Sequence, residues 1–118
     1  QGEITCAAEI EEGSEIRLML GEEERAILAA QEAAKQALSQ LNGVNPKAIF
    51  VFNCMARKKL LGMNIKKEID AIQDILGKDV PMIGFYTYGE LAPLAGEIGP
   101  NCHSVFHNET MTLMVLGE

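Results

Sequence analysis

The chain opens with two short runs in which apolar and polar residues partly alternate. Ile4-Thr5-Cys6-Ala7-Ala8-Glu9-Ile10 and Glu15-Ile16-Arg17-Leu18-Met19-Leu20 flank Glu11-Glu12-Gly13-Ser14. This pattern predicts two strands over residues 3–20 joined by a turn. The second run, with Ile16, Leu18 and Leu20 on one side, is the cleaner period-two pattern. The period then changes. From about residue 22 to 41, Ile27, Ala30, Ala34, Leu38 and Leu41 step by three and four, the spacing of one helix face. Glu22-Glu23-Glu24 suits the positive end of the helix dipole, and the many alanines favour helix intrinsically. Asn42-Gly43 supplies the stop.

Lys47-Ala48-Ile49-Phe50-Val51-Phe52-Asn53 is a continuous apolar run without alternation, which predicts a central strand buried on both faces. A short basic segment, Ala56 to Gly62, follows. Ile65, Ile69, Ile72 and Leu76 then mark a second helix over 64–76, with Asn64 as N-cap and Gly77 as stop. Val80 to Tyr86 reads as a strand, and Gly84 inside it suggests a bulge or the close approach of another backbone or ligand. Residues 91–101 hold two prolines and two glycines and read as loop. Glu109 to Leu116 alternates Met111, Leu113 and Val115 against Thr110, Thr112 and Met114, a closing strand. The expected fold is α/β (α+β), a mixed sheet of about five strands with two main helices and right-handed crossovers. Two helices cover one sheet face. The other is left for a second sheet, a preceding N-terminal half or a partner such as a second copy.

Composition narrows the function. A length of 118 residues suits one domain, and 47% hydrophobic with 23% charged residues is a soluble, globular balance. The formal charge of −7 repels nucleic acid and anionic membranes, and Arg57-Lys58-Lys59 is too short a patch to reverse that. No apolar run approaches the roughly 18 residues of a spanning helix. Cys6, Cys54 and Cys102 are widely spaced and odd in number, which points to a reducing, cytoplasmic setting, and there is no signal peptide. The first residues, Gln-Gly-Glu, lead to the expectation of a missing N-terminal portion.

Three segments then stand out together: Phe52-Asn53-Cys54-Met55-Ala56-Arg57 with Leu61-Gly62, Pro81 to Pro93 with its Gly-Phe-Tyr-Thr-Tyr-Gly-Glu core, and Phe106-His107-Asn108-Glu109-Thr110. In this order and spacing the whole chain, 1–118, resembles the C-terminal half of the FIST family of sensory domains. The resemblance implies a domain that senses a small ligand, such as an amino acid or related metabolite, rather than an enzyme. It implies an N-terminal FIST half and an output partner in signal transduction, as in bacterial chemotaxis proteins. One branch resembles haem-binding nitric-oxide sensors, so haem is the alternative cofactor reading, and a protein-docking scaffold is another.

Candidate ligand residues lie at strand ends, where loops of open α/β sheets diverge. Cys54 and Arg57 follow the central strand. Arg57 can grip a carboxylate or phosphate with its planar fork or, more plainly, pair with one of the glutamates. Cys54 as a nucleophile needs a nearby base; otherwise it is a small apolar residue. Three of the six aromatic residues, Phe85, Tyr86 and Tyr88, cluster at the next strand end. With Gly89 and Glu90 they could wall a pocket for a ligand amine, although Tyr and Phe also simply belong in strands. Glu90 could equally bond loop amides, and Asn108 could cap the loop backbone or face the pocket. His103 and His107 are the weak haem-ligand candidates. With Cys102 they invite a zinc reading, but they straddle a loop and a strand start, where positions four apart do not converge.

Overall fold

The computed structural model describes residues 2–93 and 99–118. Helix α1 spans Glu23–Gln40. Strand β1, Pro46–Cys54, leads into helix α2, Met55–Leu61, and a 3-10 turn, Gly62–Asn64. Helix α3, Ile65–Leu76, is followed by β2, Met82–Thr87, β3, Glu90–Pro93, β4, Ser104–His107, and β5, Met111–Gly117. The strands form a three-stranded mixed sheet of order β2-β1-β5 and a separate antiparallel pair, β3-β4. This is an α+β fold with β1 central, parallel to β2 and antiparallel to β5.

Both long helices lie on one face. Ala30 and Ala34 of α1 are wholly buried, as are Ile49 of β1 and Ile72 of α3, and these join Val51, Leu76 and Met111 in one core. The alanines matter because a side chain without bulk lets the helix axis approach the sheet closely. Truncating Ile72 would remove the best-buried aliphatic side chain of α3, a change that costs about 2–5 kcal/mol in comparable cores. Helix α1 ends where Asn42 and Gly43 take left-handed backbone conformations (φ 51° and 88°), and Gly77 (φ 113°) ends α3.

Four expectations change. Residues 2–22 form no strand; only the turn is made, with Ser14 N–H donating to the Glu11 carbonyl at 3.1 Å. Ile16, Leu18 and Leu20 stand exposed because no described residue pairs with that run. The basic segment is a helix, α2, consistent with Met, Ala, Arg, Lys and Leu all being good helix formers. Asn64 holds the N-cap position of α3 but makes no side-chain capping bond; its side-chain amide donates instead to Glu23 Oε2 of α1 at 2.9 Å. Part of the expected loop is strand: Glu90–Pro93 pairs with Ser104–His107, while residues 94–98 of that expectation lie outside the described residues.

The second sheet face is open. In the β1 register, Phe50 neighbours Ile83 and Met114, and Phe52 neighbours Phe85, whose ring meets it edge-on at 5.3 Å between centroids. Ile83 is 67% and Phe85 63% exposed, and Met114 and Leu116 stand about half exposed beside them. Gly84 is explained by close approach rather than a bulge. A Cβ there would collide with the Val51 backbone carbonyl across the ladder, and the pairing stays in register through it.

Candidate functional site

Side chains at the C-terminal end of β1 divide into two clusters. Successive strand residues point to opposite faces, and the β1–α2 junction extends that divergence. Asn53 and Arg57 turn inward, under the helices. Cys54, Met55, Ala56 and Lys59 face a cavity at the sheet edge.

The inner cluster is a buried polar network. Glu68 is wholly buried on α3. Its carboxylate accepts from Asn53 Nδ2 at 2.6 Å and from Arg57 Nε at 2.9 Å, and Arg57 Nη2 donates to the same carboxylate and to the Ala26 carbonyl of α1 at 2.6 Å. One guanidinium therefore ties α2 to both long helices. A charge with so little exposure is tolerable only when paired and hydrogen-bonded in this way. Asn53 Oδ1 is left without a hydrogen-bond partner among the described residues.

The cavity encloses about 580 Å³ and draws its walls from four stretches of chain. The end of β1 and the start of α2 give Cys54, Met55, Ala56 and Lys59; the end of β2 gives Tyr88; the β4–β5 connection gives Asn108 and Glu109; and the N-terminal segment gives Cys6, Ala7, Ala8 and Ile10. Cys54 is held in place by its backbone N–H, which donates to the Thr110 carbonyl at 3.0 Å. The Thr110 hydroxyl in turn bonds the Asn108 carbonyl at 3.0 Å, which fixes the loop that presents Asn108. Lys59 and Glu109 bring both signs of charge to an otherwise mostly apolar wall.

The predicted site residues thus separate. Cys54, Tyr88 and Asn108 meet in the cavity. Arg57 is engaged by Glu68, the ion pair weighed as its plainer role. Tyr86 lines a different cleft of about 390 Å³, between β2 and α3, with Asn53, Ile65 and Phe85. The Lys58 ammonium lies 5.0 Å from the Tyr86 ring centroid, and burial, reinforced by the Glu68 charge, pushes the Tyr86 phenol above its usual value of 10.0 although Arg57 opposes this. Gly89 has a packing reason: a Cβ there would run into the Phe106 ring across the β3–β4 pair. Glu90 is buried, and the single Thr87 hydroxyl proton is shared between its carboxylate and the Asn53 carbonyl, 3.3 Å away; the second Glu90 oxygen has no partner among the described residues.

His103 is exposed, and His107 Nε2 donates to the Ala92 carbonyl at 3.0 Å, securing β4 against β3. Neither histidine lines the cavity, and among the described residues no three His, Cys, Asp or Glu side chains converge as a metal site. Sequence reasoning missed Lys59, Glu109 and the Cys6–Ile10 wall. The offset of two between Arg57 and Lys59 signals that they leave different faces of a helix, though not which of them faces the cavity.

The FIST C domain model matches residues 1–93, from the N-terminal segment through β3. The chain belongs to the FIST C domain family. FIST C domains are sensory domains of signal-transduction proteins, and they suggest pairing with an N-terminal FIST domain. The match includes the β1–α2 junction and the β2 end that furnish Cys54, Lys59 and Tyr88. No curated protein and no solved structure is similar enough to this FIST C domain to count as a match. Among its described residues no helix is long and apolar enough to cross a membrane.

Proposed function

We propose that this FIST C domain senses a small zwitterionic metabolite of the amino-acid class, bound without being transformed in the cavity at the C-terminal end of β1. The observation that carries the reading is the convergence of Cys54, Lys59, Tyr88 and Asn108, from three separate stretches of chain, on one space of about 580 Å³. That volume falls in the usual range of ligand sites, which combine apolar walls with a few placed polar groups. Lys59 suits a carboxylate, Glu109 an ammonium group, and the Tyr88 ring a short side chain. Among the described lining residues none is a histidine, so Cys54 has no imidazole beside it to act as base, which favours binding over covalent chemistry.

Signal would leave as a shift between states that the ligand binds unequally. The open face of Phe50, Phe52, Ile83 and Phe85 supports a docking surface for the N-terminal FIST half, because so contiguous an apolar patch marks an interaction site. A thermal-shift screen of the full-length protein against amino acids and small carboxylates tests the ligand reading. A stabilising hit is expected from the zwitterions. A folded protein that responds to none of them would contradict it.

A further inference from the structure

Two features have no strand partner among the described residues beyond what is stated here. One is the run Glu15–Leu20, whose Leu18, Met19 and Leu20 are each more than 80% exposed. The other is the outer edge of β5, which among the described residues pairs only with β1. An unpaired edge presents a row of backbone donors and acceptors and is a template for another strand. Nothing along Met111–Gly117 guards it, since the strand carries neither a charge nor a proline.

We infer that Glu15–Leu20 docks on the free edge of β5 as a fourth strand of the main sheet, antiparallel to β5. The handedness of crossovers selects this edge over that of β2. Helix α3 carries the chain from β1 to β2 over one sheet face, and α1 lies on that same face. Crossovers between parallel strands share one hand. A strand that enters β1 through α1 must therefore lie on the side of β1 away from β2, which is the β5 side. The position of α1 agrees: Leu41, just past its end, reaches Gly117 at the end of β5, and Ala30 and Ala34 pack with Met111 at its start. A strand parallel to β1 is antiparallel to β5, and two residues, Gly21 and Glu22, join it to α1.

The pattern fits the edge as well. Six residues match a seven-residue strand. Ile16, Leu18 and Leu20 would extend the layer of Leu113 and Val115 beneath the helices, leaving Arg17 and Met19 on the open face. The same N-terminal segment supplies Cys6, Ala7, Ala8 and Ile10 to the cavity wall. Seating the arm and walling the cavity are thus motions of one tethered piece of chain.

Hydrogen–deuterium exchange resolved to single amides, on the full chain at low micromolar concentration, tests the docking. Alternate amides between Ile16 and Leu20 should exchange at least about 100-fold more slowly than in the free peptide, because an antiparallel ladder bonds every second residue. Leu18→Pro removes a ladder donor and should return the arm to peptide rates, with the β1 amides still protected as the sign that the fold survives. Leu18→Ser keeps the backbone donor and should lose only part of the protection. Peptide-rate exchange throughout Glu15–Leu20 in the unaltered chain would overturn the inference. So would protection that rises with protein concentration, which would assign the arm to a second copy.

Discussion

Asn53 and Cys54 are neighbours, and Arg57 and Lys59 leave the same short helix, yet each pair is split between two environments. The inner cluster of Asn53, Arg57 and Glu68 is buried and centred on a carboxylate that accepts charge-assisted hydrogen bonds from both partners. The cavity of Cys54, Lys59, Tyr88 and Asn108 holds its charge at the rim of open space. Burial decides which of the two can carry function. A carboxylate with no exposure must be answered by the protein's own donors, and Arg57 commits its Nε and Nη2 donors to Glu68 and the Ala26 carbonyl rather than to a ligand. A lysine beside a cavity keeps its donors free for whatever enters. An arginine in a family motif is therefore no guide to ligand contact until its partners are known.

Breaking the inner cluster should have the largest effect. Arg57→Met leaves Glu68 buried without its counter-ion, and removing one partner of a buried pair costs about 3–5 kcal/mol. Chemical denaturation should show the midpoint falling accordingly, and a change under about 1 kcal/mol would mean that water reaches Glu68. Lys59→Met, two residues away, should leave stability within roughly 0.5 kcal/mol, as for other substitutions outside the core. It should weaken binding of a zwitterion identified in the thermal-shift screen by at least about tenfold, the loss of one charge-assisted hydrogen bond. Isothermal calorimetry on both variants would separate the environments cleanly.

The smallest effect is spectroscopic. Tyr86 borders the inner cluster, and burial together with Glu68 raises its phenol above 10.0. The unfolded chain would then ionise first, so the folded state holds more protons in that window. Stability linked to Tyr86 is complete below about pH 10 and declines as pH rises past the unfolded value. Phenolate absorbance at high pH should show a late component that Tyr86→Phe removes. Its persistence in that variant would detach Tyr86 from Glu68.

Much of the scaffold was legible because its periods are strong. The alanine-rich stripe of α1, the Ile65–Leu76 stripe of α3 and the unbroken apolar run of β1 each report their own burial. Even the uncovered sheet face followed from Phe50 and Phe52, apolar on a side that two helices cannot reach. The short elements were not legible. Seven residues of α2 offer too few turns to show a stripe, and β3 and β4, of four residues each, are held by a ladder that spans a loop rich in glycine and proline. The expected strands at residues 3–20 read correctly as partly alternating but find no strand partner among the described residues.

The site was half legible for the same reason. Cys54 and Tyr88 could be placed together because strand ends of a parallel pair lie side by side, and Asn108 joins them because it just precedes β5, whose start lies beside the end of β1. Arg57 could not be told from Lys59, since the direction of each side chain depends on where α2 begins, and Glu68 gave no sign of being the arginine's partner across eleven residues.

One measurement bears most directly on the cavity. The full-length protein, labelled for two-dimensional NMR, is titrated with the amino acid that gives the largest thermal shift. The account predicts saturable shifts centred on Cys54, Lys59, Tyr88 and Asn108, with Arg57 and Glu68 little changed. Shifts centred instead on Tyr86, Ile65 and Phe85, in the cleft between β2 and α3, would contradict it.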